Sequence, residues 1–297
     1  MLIFTSAAKG GSGKTVTGAN VAYRRALQGS DVAYVDFDFG SAGVGSIFHI
    51  NATFADGGTH SYLSGFVPEP ALVDVWTESV HESLRGRPRD AGALALVPAD
   101  RDRGDLTATD DELRRMVRLL VRFEEQFEVT LIELGGGLTS AAEMVLRATA
   151  APELRRISAR WLVFLRWTQQ HIDAAGTFAA ALMRLGREHG HDGLGLTQAI
   201  RFVPTAIVDV DYLADAKPAQ LAWLHECRSD LQRLASDRRI GRSTMLASVP
   251  LDPLLQWREQ LITDVDVRAR QIAGRVTTDA YELLAKQLDD DEAWSGL

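Results

Sequence analysis

Seven residues near the N-terminus, Lys9-Gly10-Gly11-Ser12-Gly13-Lys14-Thr15, constrain this chain more than any other segment. They follow a short apolar run, Leu2–Ala7, that reads as a buried strand. They precede a helical pattern over Lys14–Leu27 that ends near Gly29. Strand, glycine-rich loop and helix, in that order, are the setting a phosphate-binding loop requires. Glycines at 10, 11 and 13 let the backbone curl so that several N–H groups point inward. The helix N-terminus adds the positive end of its dipole. Lys14 is then expected to reach the β- and γ-phosphates, and the Thr15 hydroxyl to ligand Mg²⁺. A tight strand–helix turn would account for the glycines but not for Gly-Lys-Thr at the helix start. The sequence therefore predicts binding of a nucleoside triphosphate with Mg²⁺.

The rest of the chain repeats the alternation of strand and helix. Apolar runs at 31–37, 94–97, 129–134, 161–166, 196–203 and 245–249 read as strands. Helices are expected over 71–84, from the capping box Thr109-Asp110-Asp111-Glu112 to about Gln126, and over 171–185, 215–236 and 264–288. Residues 40–70, rich in Gly, Ser and Thr, read as a mobile loop region with one helical turn near Tyr62. Strands separated by helices predict an α/β, doubly wound, mainly parallel sheet covered on both faces. There is no internal repeat and no long linker. The expected organisation is one domain over 1–288 and a solvated, frayed acidic tail over 289–297.

Composition bounds the function. Hydrophobic residues make up 46% of the 297 positions, enough for a full core, and no run of eighteen apolar residues marks a transmembrane helix. Leu2-Ile3-Phe4 runs straight into the glycine loop without a signal-peptide cleavage pattern, so the cytoplasm is the expected compartment. A single cysteine, Cys227, gives no intrachain disulfide and no cysteine cluster for zinc or iron–sulfur. The net charge of −8 argues against a dedicated nucleic-acid binder. Lysine occurs only at 9, 14, 217 and 286, so two of the four lie in one loop, which sets Lys9 apart from an incidental surface lysine.

The general phosphate-loop pattern G-x-x-x-x-G-K-[ST] would place glycine at position 8, where this chain has Ala8. The form present, Lys-Gly-Gly-x-Gly-Lys-Thr, resembles the deviant Walker A loop of the ParA/MinD ATPases. The resemblance implies ATP with Mg²⁺ as ligand and a role for Lys9 across a dimer interface, at the partner's nucleotide. The second strand ends Val35-Asp36-Phe37-Asp38, which is similar to the family's switch I. By that likeness Asp38 positions or activates the attacking water and Asp36 supports the Mg²⁺ environment. Carboxylates at the carboxyl ends of parallel strands lie where such sheets bind ligands.

The Walker B equivalent is Val129-Thr130-Leu131-Ile132-Glu133, followed by Leu134-Gly135-Gly136. The family usually has Asp at this position and Asp-Thr-Pro-Pro as the motif, so Glu133 is a departure, one methylene longer. Thr15, Asp36 and Glu133 are the expected metal residues, and Gly135 and Gly136 are expected to offer backbone N–H groups to the γ-phosphate. Val16 is a second departure, standing where a hydroxyl commonly contacts the α-phosphate; Gly10 to Val16 complete the expected nucleotide contacts. Leu162–Gln170 resembles the family's strand-to-helix step after switch II, and the segment 246–252 its last strand and the loop closing on the base. The specific motifs cover the first forty residues and 127–137, with a weak likeness to the family over most of the chain; Glu133 with Gly135-Gly136-Gly137 and the arginine-rich composition resemble a divergent actinobacterial branch.

Missing features set several relatives aside. One cysteine cannot hold a bridging cluster, five methionines do not make a methionine-rich groove, and three aspartates after Leu288 oppose an anionic membrane. Clusters Arg114/Arg115/Arg118/Arg122, Arg155/Arg156/Arg160 and 228–242 could serve non-specific DNA, though faces paired with local acids are favoured. The resemblance implies an ATP-hydrolysing switch that dimerises on ATP and recruits a partner protein, cargo or DNA. Glu133 and Val16 keep open a slow or inactive nucleotide-binding scaffold, and a small-molecule ligase of the same loop class is disfavoured by Lys9.

Overall fold

Strand β1 (Leu2–Ala7) is buried along its whole length, and its side chains alternate between two cores. The computed structural model describes residues 1–40, 43–50, 57–100, 104, 106–208 and 217–295. Part of the expected loop region 40–70, the start of the helix expected over 215–236 and the last two residues of the tail lie outside these. Around β1 run β2 (Val32–Phe37), β3 (Val73–Asp74), β4 (Leu94–Val97), β5 (Val129–Gly136), β6 (Ala159–Arg166) and β7 (Ile200–Thr205). They form one seven-stranded sheet in the order β3-β4-β2-β5-β1-β6-β7. Every pairing is parallel except the antiparallel edge β3–β4.

The helices are α1 (Lys14–Leu27), α2 (Val44–Ile47), α3 (Thr59–Leu63), α4 (Val75–Glu78), α5 (Asp110–Gln126), α6 (Ser140–Thr149), α7 (Gln169–Glu188), α8 (Gly193–Gln198), α9 (Pro218–Asp237), α10 (Leu254–Trp257), α11 (Asp264–Arg268), α12 (Arg275–Gln287) and α13 (Asp291–Ser295). Leu2 and Phe4 of β1 pack with Val35, Ile132 and side chains of α5, α6 and α7 on one face of the sheet. Ile3 packs with Tyr34, Leu131 and side chains of α1 and α12 on the other. The fold is thus a doubly wound α/β sheet, as the strand and helix alternation predicts. No described helix is long and apolar enough to cross a membrane.

Local chemistry explains where elements begin. Thr109 and Glu112 make the reciprocal capping box at the head of α5. The helix expected over 71–84 is instead a two-residue edge strand, the short α4 and a 3₁₀ turn. Val73 pairs with Leu96, Asp74 caps Trp76, and the Ser79 hydroxyl donates to the Phe48 carbonyl at 2.8 Å, so backbone and caps are committed elsewhere. The strand expected over 196–203 begins only at Ile200, because Asp192 caps α8 through the Leu194 and Gly195 N–H groups. Residues 245–249 run beside β7 with one isolated bridge, Met245 to Phe202, rather than a ladder. Pro204 lacks the N–H that a continuous ladder there would need. The helix expected over 264–288 is divided into α11 and α12, with Gln271 at φ 53° between them. Helix α6, absent from the sequence reading, is capped by the Thr139 hydroxyl.

The acidic tail also differs from expectation. Rather than fraying, α13 docks with Trp294 buried. Two guanidinium groups approach its indole, Arg160 at 4.8 Å from the ring centroid and Arg201 at 5.4 Å. Arg160 donates to Leu288 O and Asp291 Oδ1, both at 2.5 Å, while Arg201 donates to Trp294 O. Two arginines at the starts of β6 and β7 thus use the tail's carbonyls, acid and aromatic face together.

Candidate nucleotide site

The phosphate loop leaves β1 at the centre of the sheet, with β5 on one side and β6 on the other. Gly13 caps α1 with φ 75°, a left-handed conformation that glycine adopts without strain. Gly11, at φ 71°, has the same requirement. The loop is tied down from outside as well. Thr205 Oγ1 donates to Ser12 O at 2.5 Å, and Gly137 N donates to Ala7 O at 2.8 Å. Ser12 is buried, whereas Lys9, Gly10, Gly11 and Gly13 are exposed.

The structure brings four of the sequence-derived residues into contact. Lys14 Nζ lies 3.3 Å from Asp38 Oδ2 and also pairs with Glu133 Oε1. Thr15 Oγ1 donates to that same Glu133 oxygen. The second Glu133 oxygen, Oε2, accepts from Tyr34 Oη at 2.6 Å. Asp36 stands opposite Glu133 in the β2–β5 register, and its Oδ1 accepts the Asp38 N–H at 2.9 Å. Burial, reinforced by the Glu133 carboxylate, pushes the Asp36 carboxyl well above the usual range. Burial and the same carboxylate push the Tyr34 phenol up, so it stays a proton donor. Gly135 is buried next to Asp38, and Gly136 abuts the backbone of Lys9 and Gly10, so both flank the loop. Lys9 is not in this cluster: its Nζ donates to Gln170 Oε1 at the start of α7, 3.4 Å away.

Thr15 and Glu133 place hard oxygen atoms side by side at the head of α1. Among the described residues no three or more His, Cys, Asp or Glu side chains gather as a metal cage. Such a donor set fits Mg²⁺, which takes one or two protein ligands and fills the rest of its shell with phosphate and water. A cavity of about 270 Å³ opens beside the loop, between Gly13, Val16 and Thr17 on one side and Pro250, Leu251 and Tyr281 on the other. Asp252 at its edge is committed to structure, accepting from Leu254 N, Gly274 N and Thr277 Oγ1. Helix α1 holds this wall in place: Asn20 accepts from Ile262 N at 2.8 Å and donates to Gln260 O at 3.1 Å.

Sequence reasoning missed Tyr34, Thr205, Thr17 and Tyr281 as neighbours of the loop. A glycine inside α1, Gly18, was the one signal that something large crosses the helix there. Among the described residues, five of the twelve arginines in these clusters pair with acids: Arg114 with Asp111, Arg122 with Glu69, Arg160 with Asp291, Arg233 with Asp230 and Arg238 with Asp173.

No protein-family model matches the chain, and no curated protein matches it in sequence. Solved structures do match over nearly its whole length. MinD in the MinC:MinD cell division protein complex of Aquifex aeolicus is 16% identical, over 97% of this chain and 95% of that one, with a TM-score of 0.61. The septum site-determining protein MinD of Pyrococcus horikoshii, complexed with Mg-ADP, is 15% identical over 98% of each chain, with a TM-score of 0.58. The pNOB8 ParA bound to nonspecific DNA is 16% identical over 98% and 99%, with a TM-score of 0.61. The chain therefore has the fold of the ParA/MinD P-loop ATPases.

Proposed function

We propose that this protein binds Mg²⁺·ATP at Lys9–Thr15 and works as a slow ATPase switch, with two subunits joined face to face in the nucleotide-bound state. The observation that carries this reading is the convergence of Lys14, Thr15, Asp38 and Glu133 at the mouth of the loop. In this reading residues 1–288 act as one cytoplasmic ATP-handling domain. Gly10 to Val16, with Gly135 and Gly136, surround the phosphates, and Thr15 and Glu133 hold the metal, supported by Asp36. The metal would neutralise charge on the phosphates. Asp38 orients the attacking water and Lys14 stabilises charge on the transferred group. Exposed Lys9 reaches the partner subunit's nucleotide, leaving Gln170 to do so.

A specific observation points to a cost on nucleotide binding. The Glu133 carboxylate itself meets both Lys14 and Thr15, so an arriving nucleotide must displace that pairing before its phosphates and metal take over the same groups. The Mg-ADP bound to a MinD of this fold supports the choice of ligand. Partners follow the same pattern: MinD occurs in complex with MinC and a ParA on nonspecific DNA, and we favour a protein partner here because the net charge is −8 and five of the cluster arginines already pair with acids.

The test measures ATP affinity and phosphate release for the wild type, Lys14→Ala and Asp38→Ala. The expected result is loss of binding in Lys14→Ala, and retained binding with lost turnover in Asp38→Ala. Phosphate release no faster than in Lys14→Ala would sink the hydrolytic reading and leave a nucleotide-binding scaffold.

A further inference from the structure

Glycine inside a helix is the least favourable residue short of proline, yet Gly18 lies within α1, one turn beyond Lys14. A Cβ built at Gly18 would stand 2.6 Å from the Tyr34 hydroxyl and 3.3 Å from the edge of its ring. Tyr34 is fully buried on β2, on the sheet face that α1 covers, with Phe48 packed edge-on at 5.9 Å between ring centroids. Its hydroxyl passes under Gly18 and donates to Glu133 Oε2 at 2.6 Å. The other oxygen of Glu133 is the one that meets Thr15 and Lys14.

These contacts form one chain of dependence. Glu133 is buried within β5, and a buried carboxylate oxygen without a donor is costly. Tyr34 supplies that donor from the neighbouring strand. With Oε2 fixed, rotation of the carboxylate is blocked and Oε1 must face the loop. One carboxylate thus bridges the tyrosine on β2 and Thr15 at the head of α1. Gly18 supplies the clearance.

We propose that Tyr34 is a positioning residue that fixes the Glu133 carboxylate toward Thr15 and the metal, and that Gly18 is glycine in order to admit its hydroxyl. The proposal rests on reading the loop as a Mg²⁺·nucleotide site. It gives Glu133 its own structural support, built from two residues outside the phosphate loop.

The experiment titrates a fluorescent ATP analogue into wild type, Tyr34→Phe, Gly18→Ala and Lys14→Ala, in Mg²⁺ and in EDTA. In Tyr34→Phe the enhancement of affinity by Mg²⁺ should fall about tenfold, the scale on which residues behind a metal ligand act. Affinity in EDTA should stay within about twofold, because the loop backbone that holds the phosphates is untouched. A parallel thermal-unfolding cycle reads the Gly18 contact without nucleotide. Gly18→Ala should lower the midpoint clearly more in the wild type than in the Tyr34→Phe background, where the hydroxyl at 2.6 Å is gone and only the ring edge at 3.3 Å remains. Wild-type enhancement by Mg²⁺ in Tyr34→Phe, or an equal effect of Gly18→Ala in both backgrounds, overturns the proposal. Equal binding by wild type and Lys14→Ala overturns the nucleotide reading and this proposal with it. Binding that needs Lys14 but is indifferent to Tyr34 overturns this proposal alone.

Discussion

Thr205, the last residue of β7, donates its hydroxyl to the Ser12 carbonyl at 2.5 Å and so fastens the phosphate loop to a strand two places away in the sheet. Thr205→Val keeps the shape and removes the donor. The buried Ser12 carbonyl then loses a hydrogen bond, which costs about 1 kcal/mol of stability and, through a looser loop, several-fold in nucleotide affinity. Urea unfolding and nucleotide titration check both. Unchanged affinity alongside reduced stability would show that the tie holds the fold but not the site.

Lys9 separates binding from assembly. Its ammonium is exposed and rests on Gln170, outside the Lys14–Glu133 cluster. Lys9→Ala should therefore retain ATP binding and lose ATP-dependent dimerisation. Light scattering of the variant with Mg²⁺·ATP is the measurement, and a dimer equal to that of the wild type refutes the role across the interface.

The tail contributes to stability. Trp294 is buried, with two arginine side chains approaching its ring, and donates from Nε1 to Gln287 O at 2.8 Å. Trp294→Ala should cost about 3 kcal/mol, as large buried aromatics do when truncated, and should leave Arg160 and Arg201 with weakened docking. Denaturant unfolding measures this, and a loss within error of zero would mean that the tail is not held in solution.

His49 and His81 predict a pH dependence. Their rings lie 4.7 Å apart, and His81 Nδ1 accepts the Ser83 N–H at 3.2 Å. Burial lowers both pKa values. For His49 the neighbouring His81 and Arg258 lower it further, against Asp266. For His81 Asp266 opposes the burial, while Arg270 and Arg258 add to it. The unfolded chain, whose histidines titrate near about 6.5, binds the protons more readily. Their contribution is thus fully present above that pH and is lost as pH falls through it toward the lower folded-state values. The double variant His49→Gln/His81→Asn should flatten the decline in stability between about pH 7 and pH 5. An unaltered slope would remove these histidines from the account.

The loop and the strand–helix alternation around it were legible because their signals are local: glycines before Lys14-Thr15, an apolar run on either side, a capping box at Thr109. Segment 71–84 misled because Val73 joins an edge strand, Trp76 donates to Gly92 O and Ser79 to Phe48 O, partners that only the fold reveals. The break between α11 and α12 depends on Asp252 taking the Gly274 N–H from a distant segment. At the site, Glu133 could be seen as a departure but not explained. Its explanation lies in Tyr34 and Gly18, 99 residues before Glu133 in the first case and on the opposing helix in the second. Such pairings are properties of register and layer order, which one sequence does not display.

The docked helix α13 also sets a ruler. It is anchored at Arg160 and Arg201, where β6 and β7 begin, whereas the phosphate loop emerges where the parallel strand β1 ends. A strand of six to eight residues, rising about 3.3 Å per residue, separates the two edges by roughly 20–25 Å. A dye attached to α13 therefore sits within energy-transfer range of a fluorescent nucleotide without obstructing it, so ligand arrival can be followed optically from the far edge of the molecule.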